Sequence, residues 1–249
     1  MTDRSALWAP PPASLTLEHD DVHVWRIALD QPAARLPYYA QTLAPNETTR
    51  ASRFYFERDR HHFTVGRGAL RMILSRYIGL APHELQFTYT SYGKPALSET
   101  TGGDSLRFNL SHSAGMALCA VTRNREVGVD IEGIRRLDDL KQIAGHFFSA
   151  NESAVLHALP EEIQVDAFFT CWTRKEAYIK AIGEGLSMPL DCFDVSLVPG
   201  EPAALLAVRG NVEEAERWLL RELHPGPGYL AAIVVEGRDW RLQCWQWPV

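Results

Sequence analysis

Cysteine is scarce in this chain: Cys119, Cys171, Cys192 and Cys244 are the only four among 249 residues. No two of them stand in a C-x-x-C or other metal spacing, so a thiolate metal site is not indicated. Three lie in or beside apolar runs, as buried free thiols do, and that usage suits a reducing compartment. Long hydrophobic runs are missing too; none approaches the ~20 residues of a membrane span. Residues 1–14 lack the basic start and apolar run of a signal peptide. There is no excess of positive charge. At a net charge of −6, no global basic surface recruits nucleic acid, and any anion site must be local. With 46% hydrophobic residues the chain can build a real core, as one large domain or two small ones. The expectation is a soluble cytoplasmic protein with no nucleic-acid or membrane partner.

What is present centres on Phe168 to Leu186. The stretch has no proline, carries apolar residues at Phe168, Cys171, Tyr178, Ile179 and Ile182, and meets Gly183 and Gly185, which predicts a helix and its stop. Trp172, Glu176 and Lys180 are four apart and share one face. On an arbitrary helix, such a Glu–Lys pair is an exposed ion pair worth about 0.3–0.5 kcal/mol. A second stretch gives it another meaning. Val127 to Glu132 reads as a strand whose Asp130 and Glu132 point the same way. One Asp and two Glu supply hard oxygen ligands that could converge on a cation such as Mg²⁺.

Read in order, the chain opens with an arm, Met1 to Ser14, containing Pro10-Pro11-Pro12. A strand follows at 22–29, and a helix or helix pair at 47–77 carries Arg and His on one side. Next come a strand at 85–90, a turn at Ser91 to Pro95, and a polar loop from Glu99 to Asp104. The segment Asn109-Leu-Ser-His-Ser113 then precedes a buried strand at 116–122. After the carboxylate strand, a loop at 133–139 leads to a helix ending near His146. Ser149-x-x-Glu152 is a capping box opening another helix. Beyond the central helix, strands are expected at 192–198, 203–208, 229–235 and 240–247, with one helix from Val212 to about Arg221. His61-His62 lacks metal-partner spacing and reads as surface or hinge. An internal echo runs at an offset of 106: Phe63-Thr64, Gly79-Leu80 and Phe87 return as Phe169-Thr170, Gly185-Leu186 and Phe193. The echo predicts two similar α/β halves, 1–125 and 126–249, with a site between them.

These pieces together resemble the 4′-phosphopantetheinyl transferases of the two-half, surfactin-synthetase-activating type. The likeness is carried by Gly93-Lys94-Pro95, Phe108 to Ser113, Gly128-Val-Asp130-Ile-Glu132, and Trp172-x-x-Lys175-Glu176-Ala177-x-x-Lys180 with its Gly-x-Gly-Leu186 end, in that order. It implies an α/β (α+β) fold whose halves are related by a pseudo-twofold, and a Mg²⁺-dependent enzyme. In its reaction a serine of an apo acyl or peptidyl carrier protein attacks the β-phosphate of coenzyme A, giving holo-carrier and adenosine 3′,5′-bisphosphate. By the resemblance Asp130, Glu132 and Glu176 hold the metal. Glu176 is also the base, directly or through a metal-bound water, and Lys180 neutralises the pyrophosphate and the leaving group. Ser111 and His112 meet the 3′-phosphate, and Gly93, Lys94 and Pro95 sit against the adenine nucleotide. One departure is visible: where some members carry a basic pair, the earlier position is Glu47, which leaves Arg50, then Arg53, for the 3′-phosphate. Lys175, about 100° from Lys180 on an ideal helix, would act through coenzyme A or carrier affinity if it acts at all. The echo favours a monomer. A non-catalytic coenzyme A or nucleotide binder is the alternative, and a glycosidase-like pair of Asp130 and Glu176 is a third. The three carboxylates argue against the first and the neighbouring lysines against the second.

Overall fold

The structure, a computed structural model, describes residues 8–101, 103, 105–183 and 185–248, without the Leu186 side chain. Residues 1–7 of the expected arm, Gly102 and Asp104 of the polar loop and Glu184 of the helix-stop motif lie outside the described residues.

The elements run β1 (Asp21–Ala28), α1 (Leu36–Ala40), α2 (Pro45–Ser52), α3 (Glu57–Ile78), β2 (Phe87–Tyr89), β3 (Pro95–Leu97), β4 (Leu106–Ser113), β5 (Met116–Arg123) and β6 (Val127–Gly133). They continue as α4 (Leu140–Phe147), α5 (Ala150–Ala158), α6 (Glu161–Ile182), β7 (Phe193–Val195), β8 (Leu205–Val208), α7 (Val212–Glu216), β9 (Trp218–Leu223), β10 (Tyr229–Glu236) and β11 (Arg241–Gln246). One sheet has the order β11-β1-β5-β4, with β11 parallel to β1; the other is the antiparallel β6-β10-β9. Among the described residues no helix is long and apolar enough to cross a membrane, and all four cysteines are free.

Strand alternation explains the layering. In β1, Trp25 and Ile27 join the α3 core with Val65, Leu70 and Ile73. Val22 and Val24 face the other way, into a core shared with Val127, Val129 and Ile131 of β6 and Ile233 of β10. Gly128, Asp130 and Glu132, the alternate residues of β6, therefore face α6. The helix comes very close there. A Cβ on Gly128 would lie 2.0 Å from the Ala177 carbonyl oxygen and 2.3 Å from Ala181 N.

The echo has a structural counterpart: β6 begins 106 residues after β1, and β7 occupies β2's range shifted by 106. Both long helices have 22 residues and end on a left-handed glycine, Gly79 at φ 78° and Gly183 at φ 76°. Two details differ from expectation. Residues facing the long helix pair at an offset of 105, Trp25 with Asp130 and Ile27 with Glu132, because a one-residue slip reverses a strand's faces. The cap equivalent to Gly79 is Gly183 rather than Gly185.

The helix expected to reach Arg221 stops at Glu216, and β9 follows at once. Trp218 and Leu220 alternate into the core with Arg221 exposed, a two-residue period that edge pairing with β10 rewards. The central helix starts at Glu161, seven residues before the expected Phe168. Several expected strands are shorter, notably 87–89 and 193–195.

Candidate active site at the seam of the two sheets

β4 and β6 are edge strands that meet through side chains. On β4 the alternate residues Asn109, Ser111 and Ser113 reach across to β6. Asn109 Oδ1 accepts from Val129 N at 2.9 Å, and Ser111 Oγ donates to Asp130 Oδ1 at 2.7 Å. Ser113 Oγ donates to Glu132 Oε2 at 2.8 Å and accepts from Gly133 N at 3.2 Å. The Asn-x-Ser-x-Ser spacing is thus a strand's period turned into a seam. The segment expected to precede a strand is itself strand.

Above the seam lies the last turn and a half of α6. Lys180 Nζ donates to Asp130 Oδ1 at 2.5 Å and Ser111 Oγ at 3.0 Å, and stands 3.9 Å from Glu176. Glu176 and Lys180 do share a face. Asp130 is buried, and its Oδ2 has no hydrogen-bond partner among the described residues. Burial pushes its carboxyl up; the Lys180 ammonium and the Ser111 hydroxyl oppose this, and Glu132 adds to it. Burial also raises Glu176, against the pull of Lys180 and reinforced by the charges of Asp130 and Glu132. Glu132 is held at its rim by Arg135 at 3.2 Å.

Among the described residues, no three Asp, Glu, His or Cys side chains are gathered as a metal's ligands are. Lys180 stands between the carboxylates and supplies the positive charge there. Their chemistry still suits a hard cation: Asp130 offers a buried oxygen without a partner among the described residues, and Glu132 and Glu176 are the neighbouring carboxylates. Mg²⁺ takes only one or two carboxylates with waters and substrate phosphates, so a closed cage is not required.

His112 lies on the opposite side of β4 from Ser111, with an exposed edge. Its imidazole is lowered by burial first, then by Lys180 and His62, with Glu132 opposing. His62, read as surface or hinge, thus stands near His112, and its Nε2 pairs with Asp30 Oδ1 at 2.7 Å. Arg50 and Arg53 are exposed, Arg50 with its guanidinium 5.3 Å from the Phe63 ring centre. Glu47 is buried and holds Arg71 at 2.6 Å and Arg67; those two cations outweigh burial and lower its carboxyl. Gly93 sits at φ 83°, as its tight turn requires. Lys94 and Pro95 border a cavity of about 220 Å³ with Arg107, Phe108 and Ile182.

Lys175 is where expectation and structure part. It is fully buried, paired with Glu152 Oε2 at 2.7 Å and donating to the carbonyls of Leu190 at 2.7 Å and Phe193 at 2.5 Å. An ammonium has three N–H groups, and all are taken. Lys175 is out of reach of any ligand. Glu152 closes the expected capping box, accepting from Ser149 N while Ser149 Oγ accepts from Glu152 N.

A cation between the buried Asp130 and the half-buried Glu176, near an exposed histidine of β4, makes this seam the candidate site for an anionic ligand. Residues 31–124 match the 4′-phosphopantetheinyl transferase N-terminal family, and residues 126–234 match the 4′-phosphopantetheinyl transferase superfamily. The chain is 44% identical over 240 residues to the 4′-phosphopantetheinyl transferase HetI of Nostoc sp. (strain PCC 7120 / SAG 25.82 / UTEX 2576), covering 96% of this chain and 98% of the relative. It is 32% identical over 176 residues to the 4′-phosphopantetheinyl transferase Sfp of Bacillus subtilis (strain 168), covering 70% and 76%. A human L-aminoadipate-semialdehyde dehydrogenase-phosphopantetheinyl transferase is 25% identical over 212 residues, covering 80% and 69%. The chain belongs to the 4′-phosphopantetheinyl transferase superfamily.

Proposed function

We propose that this chain transfers the 4′-phosphopantetheine group of coenzyme A to a serine hydroxyl of an apo acyl or peptidyl carrier protein, releasing adenosine 3′,5′-bisphosphate. The observation that carries the reading is the Lys180 ammonium set between Asp130 and Glu176, beside a buried carboxylate oxygen with no partner among the described residues. Phosphoryl transfer asks a protein chiefly to position its reactants and neutralise charge. Asp130, Glu132 and Glu176 would hold Mg²⁺, which would supply positive charge against the pyrophosphate.

The chain's own groups do the rest. Glu176, raised by burial, is placed to accept the serine proton, directly or through water. Lys180 turns from Asp130 to the pyrophosphate oxygens and stabilises the charge that grows on the leaving bisphosphate. Ser111, expected with His112 at the 3′-phosphate, donates to Asp130 Oδ1 and would hold the oxygen that Lys180 leaves. His112 donates to the 3′-phosphate at the exposed edge of β4, with Arg50 and Arg53 offering charge from α2 and its end. Gly93 and Pro95 present the turn to the adenine nucleotide. We divide the chain at 125/126, where the two family matches adjoin. The first part contributes to coenzyme A binding and the second carries the metal ligands and the catalytic helix. The protein is taken to act as a cytoplasmic monomer.

Incubation with Mg²⁺, coenzyme A and an apo carrier protein tests the reading. The carrier's mass should rise by one phosphopantetheine, and the gain should disappear when the carrier serine is replaced by alanine. An unmodified carrier, across acyl and peptidyl types, would overturn it.

A further inference from the structure

Lys94 leaves the β2–β3 turn and ends inside the protein. The turn is closed by its own bonds: Gly93 N to Thr90 O at 2.9 Å, Thr90 N to Lys94 O at 3.0 Å and Lys94 N to Thr90 Oγ1 at 3.1 Å. Its ammonium donates to Ala181 O at 3.1 Å, Val127 O at 3.3 Å and Glu126 Oε2 at 3.4 Å. Three acceptors take all three N–H groups, and only 16% of the side chain is exposed. No donor remains for a phosphate. Burial lowers its pKa, with Glu126 opposing.

The acceptors have meaning by position. Ala181 follows Lys180 in the last turn of α6, where carbonyls lack an intrahelical partner and a cation is favoured. Val127 opens β6, three residues before Asp130. Glu126 is also held by Arg107 of β4 at 3.1 Å. A single ammonium therefore joins the first half's hairpin to the end of α6 and the start of β6, at the junction where Gly128 lets the two backbones touch. Lys180 and Asp130 hang from the two segments it joins.

We propose that Lys94 is a positioning residue: its ammonium locks the C-terminal turn of α6 to the start of β6 and so sets Lys180 against Asp130, instead of binding the nucleotide. The inference rests on the roles given above to Lys180 and Asp130.

The test is a double-mutant cycle on carrier phosphopantetheinylation, with adenosine 3′,5′-bisphosphate binding measured separately by calorimetry. Lys94→Met should lower kcat by about tenfold or more, since a shift near 1 Å at a reacting group can cost about a hundredfold. The bisphosphate Kd should stay within about threefold. In a Lys180→Ala background the same substitution should do almost nothing further, because the group it positions is gone. A merely structural loss would persist in that background. Glu126→Gln, at a half-exposed position that leaves both backbone acceptors, should show the same pattern at smaller size and serves if Lys94→Met does not fold. Additive losses in the cycle would overturn the proposal. So would a tenfold or larger loss of bisphosphate affinity, which is readable even in a chain that transfers nothing. Absence of transfer by the wild type counts separately, against the proposed function.

Discussion

The two long helices are built alike and employed differently. Each is 22 residues long, ends on a left-handed glycine and holds a buried glutamate from the short helix before it. Glu47 of α2 takes Arg67 and Arg71 of α3; Glu152 of α5 takes Lys175 of α6. Those two arginines of α3 are then consumed. Arg71 also donates to the Pro82 and Leu85 carbonyls, and Arg67 to the Tyr89 hydroxyl. On β1, Trp25 and Ile27 fill the space facing α3. At the equivalent positions of β6 stand Asp130 and Glu132, and α6 turns Glu176 and Lys180 toward them, with Lys180 bonded to Asp130. The comparison separates frame from proposed chemistry: the features shared by both halves hold the fold, and the groups proposed above for the metal and the proton transfer lie in the second half.

The largest expected effect follows from Lys180. Lys180→Ala should lose about a hundredfold or more, mainly in kcat, as removal of a charge-stabilising contact does. Steady-state transfer with one carrier and varied coenzyme A reads this, and a loss confined to KM would break the division of labour.

Lys175 sharpens the comparison from the frame side. Lys175→Ala leaves Glu152 as a buried charge without its partner, a change that typically costs roughly 3–5 kcal/mol. Its midpoint in denaturant should fall steeply, and Glu47→Ala should do the same in the first half. A stable Lys175→Ala protein with a specific defect in kcat would put Lys175 in the chemistry.

His112→Ala should weaken coenzyme A by about 1–3 kcal/mol, the worth of a charge-assisted hydrogen bond, and 3′-dephospho-coenzyme A by less. Equal losses for both would make the histidine structural.

The smallest effect concerns pH. Glu176 has its pKa raised, so its carboxyl stays protonated to higher pH than an ordinary glutamate, and the ionised base forms only above that range. The acid limb of kcat/KM at low Mg²⁺ should therefore lie above that of an ordinary glutamate. A limb at or below it would remove Glu176 as the base.

Much of this was legible in the sequence, and the gaps have physical causes. A period of four put Glu176 and Lys180 on one face, and a period of two put Asp130 and Glu132 on another; both follow from local geometry alone. The capping box at Ser149 and Glu152 is equally local. The fate of lysines was not legible. Lys94 and Lys175 are spent on carbonyls of distant segments while Lys180 meets carboxylates, and no spacing records that. β9 was hidden because Val212 to Arg221 has helix-forming glutamates before the Trp218–Leu220 alternation, and its pairing with β10 overrides propensity. Asn109 and Ser113 were overlooked as seam residues because the strand facing them follows a hairpin later.

The most direct test of the division between frame and chemistry is transfer by Asp130→Ala at saturating Mg²⁺ and coenzyme A, read with its thermal midpoint. Loss of a hard ligand from the second half's carboxylates should leave less than about a tenth of wild-type activity in a protein that melts normally. Activity above that level would contradict the account, because the residue that most distinguishes the second half from the first would then be dispensable.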